Sequence, residues 1–482
     1  MFNLVRLAVL AWFGAAAAAS ADPVAYAVSP VVENGALQAV DVTLSFDGDR
    51  DGRTRVDLPD EWAGTRNLER TVIDVRAEGA QVSRRGSQIT LRHARGAPVR
   101  LTYRIAQDYS GPTRVGFDRP YRPATVPEGF TLVGWTIFGA VEGREADGAT
   151  FEWGDKPDSW AMASDLDHRA GQPLALEELR DSVLVGGRNM RLVTLQAAGG
   201  PVRVAMLGDW RFSVDDLAER YGRVVEASAD FWGESGQPFF LALTPMAGPH
   251  GLAAQSGLGL GDGLAVWLSN DIALDEASHV LVHEQQHAWM PDRLGGLSPG
   301  RPEALDFWFS EGFTDFYTLR ILLRAGLATP EQHLEAINRA LRLQAEAPQG
   351  LGNAQLARAF FNDRRVAGLP YQRGLLLALT LDARLGRLSG GQVDLDDAIQ
   401  AMRIGDGPAP DRLIAAWSRL AGEDTRPLLH RAIDQGEALT LEPDLFGDCA
   451  VMGWERGVQH LFPGPGLDGA GREACRRRMA GL

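Results

Sequence analysis

A chain of 482 residues with 45% hydrophobic and 23% charged content has length for about three domains and enough apolar residue to bury real cores, which excludes a disordered protein. Its formal net charge of -15 speaks against nucleic acid or an anionic membrane as partner, because both attract basic surfaces. Lys156 is the only lysine, and it sits in GDKP, which is no phosphate loop. The one G-x-S-x-G match, GLSPG (296–300), lies in a turn rich in Gly and Pro and not at a strand-to-helix elbow, and no cysteine stands in a nucleophile setting, so lysine, serine and cysteine chemistry recede.

The N-terminus runs from a basic start (MFNLVR) through an apolar stretch to a small-residue ASA before Asp22, the pattern of a secretory signal peptide over 1–21. The apolar run is shorter than the ~20 residues of a membrane span, so no stable insertion is expected after cleavage at Ala21. Export places the protein in the periplasm or outside the cell. The absence of a cysteine near the cut argues against a lipid anchor.

From 22 to 175, short runs alternate with period two: Val40, Val42, Leu44, Phe46; then Ile89, Leu91; then Val99, Leu101, Tyr103, Ile105. An antiparallel β-sandwich is the expectation. Trp62 and Trp160 read as core or domain-contact residues. Ser213 with Asp216 forms a capping box ahead of a helix to about Trp232, and 238–245 and 264–269 read as buried strands.

His283 and His287 in HEQQH are four residues apart, so on a helix both imidazoles leave one face and can share a zinc ion. Asn270 or Asp275 is the expected cap of that helix and Pro291 its end. Glu284, between the pair, is placed to take a proton from water beside the metal. Pro302 opens a second apolar run, EALDFWFSEGFTDFY, whose Glu311 can complete a two-His, one-Glu set with an open fourth position. His279, one turn earlier, reads as packing or as a contact behind the ligands, and not as a ligand. Asp315 is a candidate acceptor for a ligating imidazole N–H.

HEQQHAW followed by WFSEGFTDFY resembles the gluzincin metallopeptidases, most closely the glycyl aminopeptidase family; VDLPDEWAG (56–64) and FEWGDKPDSW (151–160) are similar to its N-terminal domain. The resemblance implies a multidomain protein. Its parts would be the N-terminal antiparallel β-sandwich, a thermolysin-like α+β zinc catalytic domain (176–325) and a helical part (326–440), with a tail (441–482) too short for the family's PDZ module. It implies an exported zinc metallopeptidase acting on peptides or proteins. In LPYQRGLLLALTLDARL (369–385) it gives Tyr371 the role of oxyanion donor. By itself Tyr371 is one of seven tyrosines and reads as a half-buried packing residue. It also makes the strand before the zinc helix a sheet edge that takes substrate backbone, with Gly257, Gly259, Gly261 and Gly263 keeping the approach open or simply making turns.

In aminopeptidases a glutamate before that strand holds the substrate's free amine. The matching stretch here, HGLAAQSG, has Ala253 in that position, with Gln255 or Asp262 as possible substitutes. Strict selection for a free N-terminus is therefore not expected. Two rival readings keep the same residues: an inactive peptide-binding protein, and a zinc hydrolase of a non-peptide acyl substrate. Cys449 and Cys475 are either a disulfide or two free thiols. Oligomeric state is not legible.

Overall fold

The computed structural model describes residues 22–109, 121–246, 255–363 and 365–482; the expected leader (1–21) and Ala253 lie outside them. The alternating segments do form a sandwich. One sheet runs Ala149–Trp153, Val24–Glu33, Ala36–Asp47, Pro98–Ile105, Val72–Glu78, and the other runs Ala140–Val141, Arg53–Asp57, Gln88–His93, Ala80–Arg85. Their inward residues share one core that includes Val42, Leu44, Ile89, Leu91 and Leu101. The antiparallel expectation needs one correction: Val24–Glu33 and Ala149–Trp153 pair in parallel. A strand that returns after a long excursion, and not through a hairpin, is free to do so.

A third, antiparallel sheet of Ala124–Val126, Gly129–Val133, Val183–Gly187 and Ala161–Ser164 joins the sandwich to the rest of the molecule. Alternate residues serve its two sides. Phe130, Leu132 and Leu184 enter the sandwich core. Val133, Val183 and Val185 meet Phe240, Ala242 and Trp267 of the next sheet.

That next sheet contains β1 (Met190–Ala197), β2 (Gly200–Leu207), β3 (Phe239–Pro245), β4 (Gln255–Leu260) and β5 (Gly263–Leu268), in the order β1-β2-β3-β5-β4. The β2–β3 and β3–β5 pairs are parallel, and the outer pairs antiparallel. Strands covered on both faces need apolar residues at every position, which is why FFLALT and LAVWL are continuous runs. The edge strand is therefore β4, one strand earlier than expected; β5 lies inside the sheet.

The other side of this sheet is packed by helices α1 (Val214–Trp232), α2 (Leu274–Gln286), α3 (Gly312–Arg324) and α4 (Leu369–Leu388) in one large core. The Ser213–Asp216 capping box opens α1 as expected. The last section, where no period is legible, forms a hairpin of Ala450–Glu455 and Val458–Pro463 and a helix Arg472–Met479. Asn338 holds the hairpin through both backbone groups of Leu461. Cys449 and Cys475 are bonded, with Cα atoms 5.4 Å apart. Among the described residues no helix is long and apolar enough to cross a membrane.

Candidate metal centre

Helix α2 starts differently from the sequence expectation. The Glu276 carboxylate accepts from the Ala273 amide at 3.0 Å, while Asp275 pairs with Arg220. Regular helix stops at Gln286, before Pro291, but His287 keeps helical dihedrals and the turns continue through Met290. The four-residue spacing therefore still sets both imidazoles on one side.

Of the three residues between them, Gln285 and Gln286 are fully buried and turn toward α1. Gln286 Oε1 accepts from the Trp232 indole at 2.9 Å, its amide donates to Ser228 at 2.8 Å, and Ser228 donates to Gln285 at 2.8 Å. Buried amides are costly unless paired, so this network sets how far α2 can rotate against α1. Reading the motif as ligands and spacer misses it. Its only trace in the sequence is two amides on the side of the helix where apolar residues are otherwise expected.

The second motif bends at its key residue. Phe307–Ser310 and α3 are separate helical segments that meet at Glu311, whose φ is -99°. Just beyond it, a Cβ on Gly312 would lie 2.3 Å from the Cα of Gly374, and a Cβ on Gly374 would lie 1.8 Å from the Trp308 carbonyl oxygen. Only two glycines permit this crossing of α3 and α4. Tyr371, one turn before Gly374, is thereby carried to the metal helix, with its ring 5.9 Å from that of His283.

The ligand atoms of His283, His287 and Glu311 lie within 4.8 Å of one another. Glu311 Oε2 is 3.2 Å from His283 Nε2 and 3.5 Å from His287 Nε2. On the far sides of the rings, His283 Nδ1 meets Asp315 Oδ1 at 2.9 Å and His287 Nδ1 meets the Met290 carbonyl at 3.0 Å. Both partners only accept, so each imidazole holds a proton on Nδ1, which leaves Nε2, the atom facing Glu311, as the one that can ligate a metal. Two imidazole Nε2 atoms and a carboxylate oxygen converging in this way fit zinc. His279 Nε2 is 3.7 Å from the same Asp315 oxygen and outside the ligand group.

Burial opposes charge on every group here. For His283 the carboxylates of Asp315 and Glu311 outweigh it and raise its pKa. Burial also works against the Glu311 charge, but the two imidazoles hold that carboxylate ionised far below its ordinary range. For Glu284 burial wins and its pKa rises, moderated by His283 and His287 and by the Gly259 amide that donates to it. Burial and then the Glu311 charge push the Tyr371 phenol well above its ordinary range, so it stays a donor.

The edge strand β4 lies against this site at backbone distance. A Cβ on Gly257 would come within 2.2 Å of the Glu284 side chain, and one on Gly259 within 2.2 Å of the Glu284 carbonyl. Gly257 and Gly259 thus let the edge touch α2, whereas Gly261 makes the turn to β5 with φ +54°. The site opens into a cleft of about 460 Å³. Its walls come from β4, the helices and the N-terminal half, which contributes Trp62, Tyr121 and Trp135. Nothing in the local sequence of Tyr121 points to the site. Trp160 is core as expected, while Trp62 is half-buried and reaches the cleft. Neither possible substitute for Ala253 holds a free carboxylate at the site: Gln255 begins β4 and is exposed, and Asp262 is bound to Arg293 at 2.9 Å, away from the cleft lining.

Residues 276–366 match the family model of the M61 glycyl aminopeptidases, which bears out the resemblance carried by the two motifs in that span. Comparison with curated proteins finds no match. Among solved structures, an aminopeptidase N family protein from Idiomarina loihiensis is similar over 89% of this chain and 79% of its own, at 17% identity and a TM-score of 0.73. An M1 zinc metallopeptidase from Deinococcus radiodurans, in a mutant bound to a Tyr-Ser-Ala substrate, is similar over 88% of this chain and 95% of its own, at 16% identity and a TM-score of 0.54. At such identities the likeness concerns the fold: a β-rich N-terminal region followed by a helical C-terminal part.

Proposed function

We propose that this protein is an exported zinc metallopeptidase in which His283, His287 and Glu311 hold the metal, Glu284 is the general base and Tyr371 the oxyanion donor. The observation that carries this is the convergence of three ligand atoms within 4.8 Å directly beside a sheet edge. Zinc held there would supply Lewis-acid polarisation of a carbonyl and a lowered pKa for water. The chain's own groups do the rest. A peptide adds its backbone to β4, as edges accept strands without regard to side chain. Glu284, whose buried carboxylate has a raised proton affinity, takes the proton of the attacking water and returns it to the leaving amine. The Tyr371 phenol donates to the negative oxygen that develops on the substrate. Asp315 and the Met290 carbonyl keep both imidazoles in the tautomer that ligation requires. Hydrolysis of peptides is favoured over that of other acyl compounds because a free strand edge has no use for a substrate without a backbone.

Metal analysis with activity on a peptide library tests this. Mature protein is expected to carry about one zinc per chain, and His283→Ala and Glu311→Ala to lose metal and activity together. Glu284→Gln is expected to keep the metal and lose orders of magnitude in turnover. Full zinc occupancy in Glu311→Ala, or near-normal turnover in Glu284→Gln, removes the assigned role.

A further inference from the structure

His287 depends on a carbonyl that regular helix does not place. Helical geometry in α2 ends at Gln286, and the Met290 carbonyl that accepts from His287 Nδ1 at 3.0 Å belongs to the turn beyond it. The Trp289 and Met290 amides both donate to the Gln286 carbonyl at 2.9 Å, which anchors that turn at one end. Side chains hold the other end. The Trp289 ring lies parallel to that of Trp232 at 5.7 Å, and its indole donates to Glu234 Oε2 at 3.0 Å. Arg293 covers the same ring, with its guanidinium carbon 5.3 Å from the centroid, and donates to the same Glu234 oxygen at 3.1 Å.

Arg293 has a second partner, because its other terminal nitrogen donates to Asp262 Oδ1 at 2.9 Å. Asp262 sits in the two-residue turn from β4 to β5. One guanidinium therefore joins the turn that carries the Met290 carbonyl to the turn that carries the edge strand. Glu234, just past the end of α1, is itself held by Arg403 at the end of the helix Leu395–Met402, and Arg403 also donates to the Trp232 carbonyl at 2.6 Å. These two carboxylates and two guanidiniums balance in charge, and each side chain is only 26% to 29% exposed. A planar guanidinium that spans two sheltered carboxylates and stacks on an indole fixes geometry in a way that a single exposed ion pair does not.

We propose that Arg293 is a positioning residue for the metal centre and the substrate edge at once, acting through Trp289 and Met290 on His287 and through Asp262 on β4. The action on β4 rests on the peptidase reading given above, and the action on His287 on the metal site alone. The two contacts go to different carboxylates, so they can be removed separately.

The test measures, on the full mature chain, the loss of zinc to a competing chelator and the kcat and KM of the zinc-loaded protein on a peptide. Arg293→Met keeps an apolar stem over the indole and removes both ion pairs. Zinc affinity should fall about tenfold, the low end for groups that orient a ligand, and KM should rise at least about threefold, as for residues that couple two sites through others. Asp262→Ala frees only the β4–β5 turn, so KM should rise at least about threefold with zinc affinity unchanged. Melting temperature reports the fold of each variant, and if Arg293→Met does not fold, Asp262→Ala decides. Parental zinc affinity in folded Arg293→Met overturns the proposal. So does a KM that Gly259→Ala raises by displacing β4 directly and Asp262→Ala leaves at the parental value. In both cases the peptidase reading stands. Parent protein that holds no zinc, or that holds zinc and cuts no peptide, overturns that reading instead.

Discussion

His283, Glu284 and His287 come from α2 and the turn that ends it, Glu311 from the bend before α3 and Tyr371 from α4, and each is held by a partner on its far side or by burial. Asp315 is the partner most open to test. It binds no metal in this scheme, so Asp315→Asn should weaken zinc affinity by about 10–100-fold without abolishing the site. Unchanged affinity would return Asp315 to a packing role. Tyr371→Phe removes one hydroxyl from a half-buried phenol that remains protonated, and should cost about 2.7–4 kcal/mol of transition-state stabilisation with metal content unaltered. Turnover equal to that of the parent protein would refute the oxyanion assignment. At the amine end of the substrate, an ammonium leaving water needs a carboxylate, and Asp262 already serves Arg293. N-acetylated and free-amine peptides should therefore be cut within about a hundredfold of each other in kcat/KM, roughly 2.7 kcal/mol. A larger free-amine preference would reveal an amine-binding carboxylate elsewhere in the cleft.

Elements meet in this protein through glycine. The edge strand β4 reaches α2 only because Gly257 and Gly259 leave room for the Glu284 side chain and carbonyl. Gly259→Ala places a methyl group against backbone that cannot yield, so the strand must move away from the helix. On the proposed function, the outcome expected is a folded protein that binds zinc and loses most of its peptidase activity, chiefly through KM, because the strand proposed to take the substrate backbone has shifted. Retention of the parental KM would show that substrate does not bind along β4. Gly374→Ala acts at the crossing of α3 and α4, where the contact is with the Trp308 carbonyl, and overpacking there should cost at least about 1–3 kcal/mol of stability.

Across the whole molecule, stability depends on a C-terminal section that carries none of the chemistry. The Cys449–Cys475 bond closes a loop with a sequence separation of 26, and its removal should lower unfolding free energy by roughly 2–4 kcal/mol, readable by denaturant titration. His333, buried against Phe446, has its pKa lowered to about 3 by loss of solvent and by the nearby Arg320 charge. The unfolded imidazole binds protons near the ordinary value of 6.5, and the folded one does not until about 3. Its contribution is therefore complete above pH 6.5 and lost progressively as pH falls toward 3, with the unfolded state binding the extra proton. Replacing His333 by Phe should flatten that part of the stability profile; an unaltered slope between about pH 6.5 and 4 would show that other groups set it.

Local periodicity and spacing are legible along the chain. Val40 to Phe46 alternates because one side of a strand is buried, and HEQQH brings two imidazoles together because a helix repeats about every 3.6 residues. The two motifs also carried the resemblance that the family match over 276–366 repeats. Relations between segments distant in the chain emerge only on packing. Which strand forms the sheet edge depends on pairing among five strands, so β4 could not be told from β5 by its own residues. The use of Gln285 and Gln286 depends on Ser228 and Trp232, more than fifty positions earlier. Trp62 and Phe361 line one cleft because two parts of the chain meet there, and no window of sequence contains both. Short-range order follows from backbone geometry and can be read along the chain. Long-range proximity follows from how the buried faces are finally matched, which is a property of the packed molecule.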